Sequence, residues 1–216
     1  MSLRRGCARL GLSPSDRQVE TMIRFVDELA RWNAAYNLTA IRQPAQMVTH
    51  HLLDSLAVLP YLSGARILDL GTGAGLPGIP FAIMAPERQF VLLDANGKKI
   101  RFVRHAIMTL GLGNVQAVQG RAESHKSQVR YDTVVARAVG ASGKLAALAK
   151  PHCALGGRLL LMKGAEPGEQ LSLNLCGYRQ GVIRRLDVPH LEAERHVVEW
   201  IRVDDSESLR DGGVDG

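Results

Sequence analysis

The sequence predicts an α/β fold, with a mostly parallel seven-stranded sheet, helices on both faces and a helical N-terminal extension in front. Three observations predict it. Apolar residues keep the spacing of one helix face through residues 15–32. From Gly64 onward short apolar runs alternate with helical stretches, and runs too apolar to show a period of two mark buried parallel strands. The last two runs follow each other without a helix between them, the pattern of an antiparallel pair.

Taken in order, Ser13 is expected to cap the first long helix, with Pro14 at its first position. Val19, Met22, Ile23, Val26, Leu29 and Ala30 form its buried face. After a loop over 33–43, a second helix starts near Pro44 and runs through Val48, Leu52, Leu56 and Leu59 to Pro60. Strands are expected at 66–70, 90–93, 115–118, 133–136 and 158–162, with helices around 79–85, 98–110 and 142–150. The runs 178–188 and 195–203 form a hairpin at the sheet edge. The chain thus divides into an extension, 1–63, a sheet domain, 64–203, and a tail, 204–216, whose Asp, Ser and Gly content predicts disorder.

A chain of 216 residues, 46% of them hydrophobic, has enough apolar mass to bury a real core, which excludes collagen-like and wholly disordered classes. No run reaches the roughly 18 apolar residues of a membrane-spanning helix. The N-terminus carries Arg4-Arg5, but Arg9 falls where an export signal needs apolar residues, so a mature cytoplasmic start is expected. Cys7, Cys153 and Cys176 are widely separated and odd in number, which predicts reduced thiols and neither a disulfide framework nor a zinc site. Charge is unevenly placed. Residues 1–63 hold 7 Lys and Arg against 5 acids, residues 64–164 hold 14 against 5, and residues 165–216 hold 6 against 11. A basic middle beside an acidic end suggests a polyanion at one face.

The first strand opens into Asp69-Leu70-Gly71-Thr72-Gly73-Ala74-Gly75-Leu76-Pro77-Gly78. Glycines there permit a tight turn and close approach of backbone to a ligand at the carboxyl ends of the strands. Gly73, Gly75 and Gly78 satisfy GxGxxG literally, and Asp94 stands where a dinucleotide's ribose is bound, so the pattern alone leaves a nicotinamide enzyme open. Charge favours another cofactor. A dinucleotide puts a pyrophosphate at this turn, which Asp69 opposes, whereas the ammonium and sulfonium of S-adenosylmethionine are favoured by an acid. Asp69, Gly71 and Gly73 with a second acid, Asp94, after strand two therefore fit a class I (Rossmann-like) methyltransferase.

More of the chain resembles one family. Tyr36-Asn37-Leu38-Thr39, His51 with Asp54-Ser55-Leu56, the glycine loop through Pro77-Gly78, Leu92-Leu93-Asp94 with Lys98-Lys99 and Phe102, and Gly120-Arg121-Ala122-Glu123 occur in that order. Tyr131-Asp132, Ala136-Arg137-Ala138, Lys163-Gly164 and Glu194-Arg195-His196 follow. Together they resemble the RsmG (GidB) family, bacterial enzymes that methylate N7 of a guanine in 16S, the small-subunit ribosomal RNA. The similarity runs from about Tyr36 to Val203. It implies that Gly71 and Leu76 line the methionine and ribose region of S-adenosylmethionine, that Ala122 and Glu123 meet the adenine side, that Asp94 accepts from the ribose, and that Arg137 lies near cofactor and substrate. Gly140-Ala141, where a more apolar pair is expected, and Arg202, where a lysine is usual, depart from the pattern.

Guanine N7 carries a lone pair and needs no deprotonation, so the expected task is alignment, without a general base. No Asn/Asp-Pro-Pro-Tyr/Phe run follows the fourth strand, where amino-group methyltransferases place one. On the substrate side, Lys163 and Arg137 are expected to anchor RNA phosphate or the cofactor carboxylate. His51 and Asp54 are expected to pair by hydrogen bonding and fix the extension against the catalytic face, with Asn37 near cofactor or base. His196 is expected to face substrate or to lie at a surface strand edge. His50, His51 and Asp54 on one helix form too few ligands for a metal, and none is expected. Competing readings are methylation of a small molecule and an RNA-binding protein with a vestigial fold. Aromatic residues make up 5% of the chain, so shape and phosphate contacts are expected to dominate recognition by a monomer.

Overall fold

Ser15, two residues past the expected position, opens the long N-terminal helix of the computed structural model, which describes residues 3–137, 142–164 and 177–204. The Gln18 N–H donates to Ser15 Oγ at 3.2 Å while the Ser15 N–H donates to Gln18 Oε1 at 2.9 Å, a reciprocal capping box. Gln18 then continues outward, its Nε2 donating to the carbonyls of Ile83 and Met84, so this cap is tied into the tertiary structure. A short unpredicted helix, α1 (Leu3–Arg9), precedes it, and its Arg4 binds the Pro14 carbonyl and the Asp16 carboxylate. Helix α2 (Asp16–Tyr36) ends at Asn37, whose left-handed φ of 50° terminates it. The second expected helix is present but interrupted. α3 (Pro44–Met47) passes into a π-helical turn (Val48–Leu53), then α4 (Asp54–Leu56), and Pro60 lies in a 3₁₀ turn (Leu59–Tyr61).

The strands are β1 (Arg66–Leu70), β2 (Gln89–Asp94), β3 (Val115–Gln119), β4 (Tyr131–Arg137), β5 (Cys153–Lys163), β6 (Tyr178–Arg185) and β7 (His196–Arg202). Their order is β3-β2-β1-β4-β5-β7-β6. The first five are parallel, and β7 inserts antiparallel between β5 and β6, so the expected hairpin is there with its second strand inward. The chain winds outward from β1 to β3 and returns beside β1 as β4. That reversal is a topological switch point, where open sheets bind ligands at the carboxyl ends of the strands.

Alternation along the strands feeds two cores. Ile67, Phe90, Leu92, Val135, Leu160 and Val197 face one core, shared with Met22, Phe25 and Leu29 of α2, Leu52 and Leu56 of the extension, α5 (Gly78–Met84) and α6 (Gly97–Leu110). The extension is thus built into the sheet's own core, and Trp32 and Phe25 stack on Phe102 of α6 at 5.7 and 6.1 Å. Leu68, Leu70, Leu93, Val134, Leu159, Leu161 and Trp200 face the other core, with Ala146 and Ala149 of α7 (Ser142–Ala149). Cys7 and Cys153 are buried free thiols, and burial raises both pKa values. Cys176, Gly140-Ala141 and residues 205–216 of the tail lie outside the described residues.

Candidate active site

The loop after β1 uses its glycines for different purposes. Gly71, Gly73 and Gly75 have φ of 74°, 60° and 80°, a region costly for other residues. A Cβ on Gly75 would lie 2.5 Å from Ile79 Cδ1, and one on Gly78 would lie 2.7 Å from Asp69 Oδ2 and 2.8 Å from Leu92 Cγ. Those two positions are glycine for packing. A Cβ on Gly71 would meet nothing within 4 Å, so this exposed glycine borders open space at the strand ends. The N–H groups of Gly71 and Thr72 both donate to the Leu93 carbonyl, at 2.8 and 3.0 Å, which stitches the loop to β2.

Two carboxylates hold this loop. Asp69 is buried beneath it and accepts from Thr72 Oγ1 (2.6 Å) and the Gly78 N–H (2.8 Å), both on Oδ2. Its Oδ1 is buried with no partner among the described residues. Burial raises its pKa to about 6, against the lowering effect of those two bonds and of Arg137. Asp69, expected among the cofactor-binding residues, thus lies desolvated under the loop. The side chain of Leu76, expected to line the methionine and ribose region, is buried in the core, which leaves its backbone on the loop surface. Asp94, partly exposed, accepts from the Gly73 N–H on Oδ2 and the Asn96 N–H on Oδ1, each at 2.8 Å. A carboxylate has about four lone-pair sites, so further acceptor capacity remains.

Ala122 and Glu123 begin a 3₁₀ turn after β3 (Ala122–Ser124). Its position is set by a residue the sequence reading missed. His152, buried just before β5, has Nε2 3.0 Å from the Ala122 carbonyl, and a carbonyl can only accept, so Nε2 carries the proton. Desolvation lowers the His152 pKa. Glu123 is exposed.

On the extension side, the π-helical turn delivers His51 and Asp54. His51 does not pair with Asp54. Its Nδ1 donates to the His50 carbonyl (3.1 Å) and its Nε2 accepts from Thr39 Oγ1 (2.9 Å), because the extra residue of the π turn rotates the ring toward the Asn37 loop. Burial first, then Arg137, lowers its pKa to about 4. Asn33, a buried amide on the apolar face of α2, completes this fastening by accepting from the Thr39 N–H (2.9 Å) and donating to the Ile41 carbonyl (3.1 Å). That polar residue at an apolar helix position was the signal available in the sequence. Asn37 itself is exposed, with its Oδ1 3.5 Å from Arg42 Nη2.

Asp54 instead meets two arginines, Arg195 Nε at 2.8 Å and Arg137 Nη1 at 3.7 Å. Arg195 and Arg137 share the extension face with Val197 and Val135. Lys163 and His196 lie opposite one another in the β5–β7 register, on the other face with Leu161 and Val198. His196 is buried, with Nδ1 unpartnered among the described residues, and its strand is interior; the surface-edge expectation is corrected accordingly. Desolvation lowers the pKa of Lys163. The structure so gathers the loop, Asp94, Arg137, His51 and Asp54 at the switch point, with Lys163 and His196 across the sheet from them. No group of three potential metal ligands occurs among the described residues.

A parallel sheet with a glycine turn after β1, an acid at the end of β1 and a second at the end of β2 defines the class I, S-adenosylmethionine-dependent methyltransferases. The fold is similar to a solved S-adenosylmethionine-dependent methyltransferase from Aquifex aeolicus, with a TM-score of 0.55 and 18% identity, covering 74% of this chain and 94% of that one. The family model GidB, described as rRNA small subunit methyltransferase G, matches residues 18–198. Ribosomal RNA small subunit methyltransferase G of Methylococcus capsulatus is 48% identical over 197 residues, 91% of this chain and 96% of the relative. That of Alkalilimnicola ehrlichii is 43% identical over 199 residues, 92% and 90% of the two chains. The chain belongs to the GidB family of ribosomal RNA methyltransferases, and the nicotinamide reading of its glycines falls.

Proposed function

We propose that the chain methylates N7 of a single guanine in 16S ribosomal RNA, working as a cytoplasmic monomer on RNA or the small subunit. The observation that carries the RNA substrate is the match to small-subunit rRNA methyltransferases over nearly the whole chain. The N7 assignment draws support from how the nearby bases are engaged. His51 has both ring nitrogens bonded and its pKa lowered to about 4, so it is not poised to take a proton, and Asp54 is occupied by its hydrogen bond from Arg195. Attack by the N7 lone pair requires none. Exposed large apolar residues are few and scattered, Ile23 and Tyr36 at opposite parts of α2 and Met108, Leu155 and Val182 on three other elements, which suits a monomer, and no described helix is long and apolar enough to cross a membrane.

The residues present fit S-adenosylmethionine: Gly71 leaves an open cradle, and the unpartnered Oδ1 of Asp69 supplies negative charge close by. When bound, this cofactor supplies a methyl carbon made electrophilic by a sulfonium. Gly71, Gly73 and the backbone of Leu76 would border its methionine and ribose portion, Asp94 would accept from the ribose hydroxyls, and Ala122 and Glu123 would flank the adenine. Asn37, His51, Asp54 and Arg137 form the substrate side from the extension face, and Lys163, paired in register with the buried His196, reaches it from the opposite face of the sheet; between them the protein aligns N7 with the methyl carbon. No proton moves, and the base gains a positive charge.

Labelled S-adenosylmethionine should transfer label to unmodified small-subunit RNA or particles, and borohydride with aniline should then cut the RNA once, since that treatment breaks chains at 7-methylguanosine. Label without cleavage would remove the N7 assignment, and no label with intact cofactor binding would move the substrate to a small molecule. Lys163→Ala is expected to lower kcat/KM for RNA by about tenfold, the worth of one phosphate contact, while cofactor affinity stays within twofold. Equal loss of both would put Lys163 in the cofactor pocket.

A further inference from the structure

Arg137 belongs to the sheet, yet its counterion belongs to the extension. Asp54 follows the π-helical turn and is 3% exposed, where an unpaired carboxylate would be strongly unfavourable. The two arginines that answer it do so differently. Arg195 Nε sits at hydrogen-bond length, 2.8 Å from Oδ1, and its Nη1 donates to the Glu194 carbonyl, so its head is fixed twice. Arg137 Nη1 stands 3.7 Å from Oδ2, beyond hydrogen-bond length, and no hydrogen bond from its guanidinium occurs among the described residues. Its side chain is 35% exposed at the carboxyl end of β4, the strand that pairs with β1 at the switch point.

Arg195 therefore neutralises and immobilises Asp54, while among the described residues Arg137 meets it by charge alone, with its donors turned to no other described group. The planar fork of donors on a guanidinium is suited to a carboxylate or a phosphate. The proposed reactants carry one of each, the methionine carboxylate of the cofactor and the backbone of the RNA. We infer that Asp54, fixed by Arg195, is a positioning residue through which the helical extension holds Arg137 at the ends of β1 and β4 to receive an anionic group of the reactants. This rests on the methyl-transfer reading for the identity of those anions. It gives the extension a task in the reaction besides covering the sheet.

A double-mutant cycle on the full-length chain tests it, with Asp54→Asn, Arg137→Gln and the pair, each checked for wild-type far-UV circular dichroism. S-adenosylmethionine affinity is measured without RNA, and kcat and KM for small-subunit RNA at saturating cofactor. Either single variant should lose roughly 10- to 100-fold, and the pair should lose no more than Arg137→Gln alone, as expected for groups that act through each other. Coupling seen in cofactor affinity identifies the carboxylate as the anion; coupling seen in KM for RNA identifies the phosphate. Losses that multiply in both measurements overturn the inference. Should Asp54→Asn fail to fold, Asp54→Glu, which keeps the charge and displaces it, enters the same cycle. A wild-type chain that leaves RNA unlabelled defeats the substrate reading, and the cycle in cofactor affinity then decides this one by itself.

Discussion

Asp69→Asn is expected to bind S-adenosylmethionine about 30-fold more weakly than wild type while folding at least as stably at pH 8. Asparagine keeps an acceptor for Thr72 and Gly78, so the loop retains its shape and only the charge is lost. A unit charge acting on a cation through an effective dielectric near 20 is worth on the order of 2 kcal/mol at about 8 Å, hence the factor. The same charge is costly in the free protein. With the Asp69 pKa raised from 3.8 to about 6, its folded form holds a proton that its unfolded form has released, and stability falls as pH rises from about 4 to 6. Above that window the cost levels at about 3 kcal/mol. His51 works in the opposite sense. Its pKa is lowered from 6.5 to about 4, so the unfolded chain binds the proton first and stability is lost as pH falls from about 6.5 to 4, again by about 3 kcal/mol. The two slopes oppose each other in wild type. Removing the Asp69 carboxylate should expose the His51 slope, so that stability from denaturant midpoints climbs more steeply between pH 4 and 6 in Asp69→Asn than in wild type. Parallel curves would mean that Asp69 ionises as a solvent-exposed carboxylate does.

The sheet was legible because its strands are buried on both faces. Runs such as Ile67-Leu68 and Leu159-Leu160-Leu161 have no other stable place than a covered sheet, and each is bounded by a glycine or polar turn. The glycine loop was equally plain. The chemistry of its acids was half plain: Asp94 could be placed as an open acceptor, but nothing local to Asp69 says that its side chain points under the loop. The extension resisted for a related reason. Helical spacing put His51 and Asp54 on neighbouring turns and suggested a pair, whereas the π-helical turn between them redirects His51 to Thr39, and Asp54 finds its partner 141 positions along the chain in Arg195. Long-range ion pairs leave no periodic trace in sequence. Ser15 shows the smaller version of that limit, since both Ser13 and Ser15 are competent caps and the choice was made by where Gln18 could reach, the end of α5.

Asp94→Ala is expected to weaken cofactor binding at least about 100-fold, and for a reason separable from that of Asp69. Its carboxylate already spends one acceptor site per oxygen on the Gly73 and Asn96 N–H groups. Those bonds leave the remaining sites for the ribose hydroxyls of the proposed cofactor pose. In that pose alanine would remove two ribose bonds, each worth about 1.5–3 kcal/mol to a charged acceptor, and it frees the loop at Gly73 as well. Asn cannot rescue the site, because its amide must turn a donor toward the Gly73 or the Asn96 N–H. Since S-adenosylmethionine and S-adenosylhomocysteine share the ribose, Asp94→Ala should lose affinity for both by the same factor. They differ by the sulfonium charge. Asp69→Asn should therefore lose more affinity for S-adenosylmethionine than for the demethylated product, which makes the wild-type carboxylate a device for preferring substrate cofactor over spent cofactor. Titration calorimetry of both variants with both ligands decides it: discrimination in Asp94→Ala would mean that this acid senses charge, and uniform loss in Asp69→Asn would reduce Asp69 to a brace for the loop.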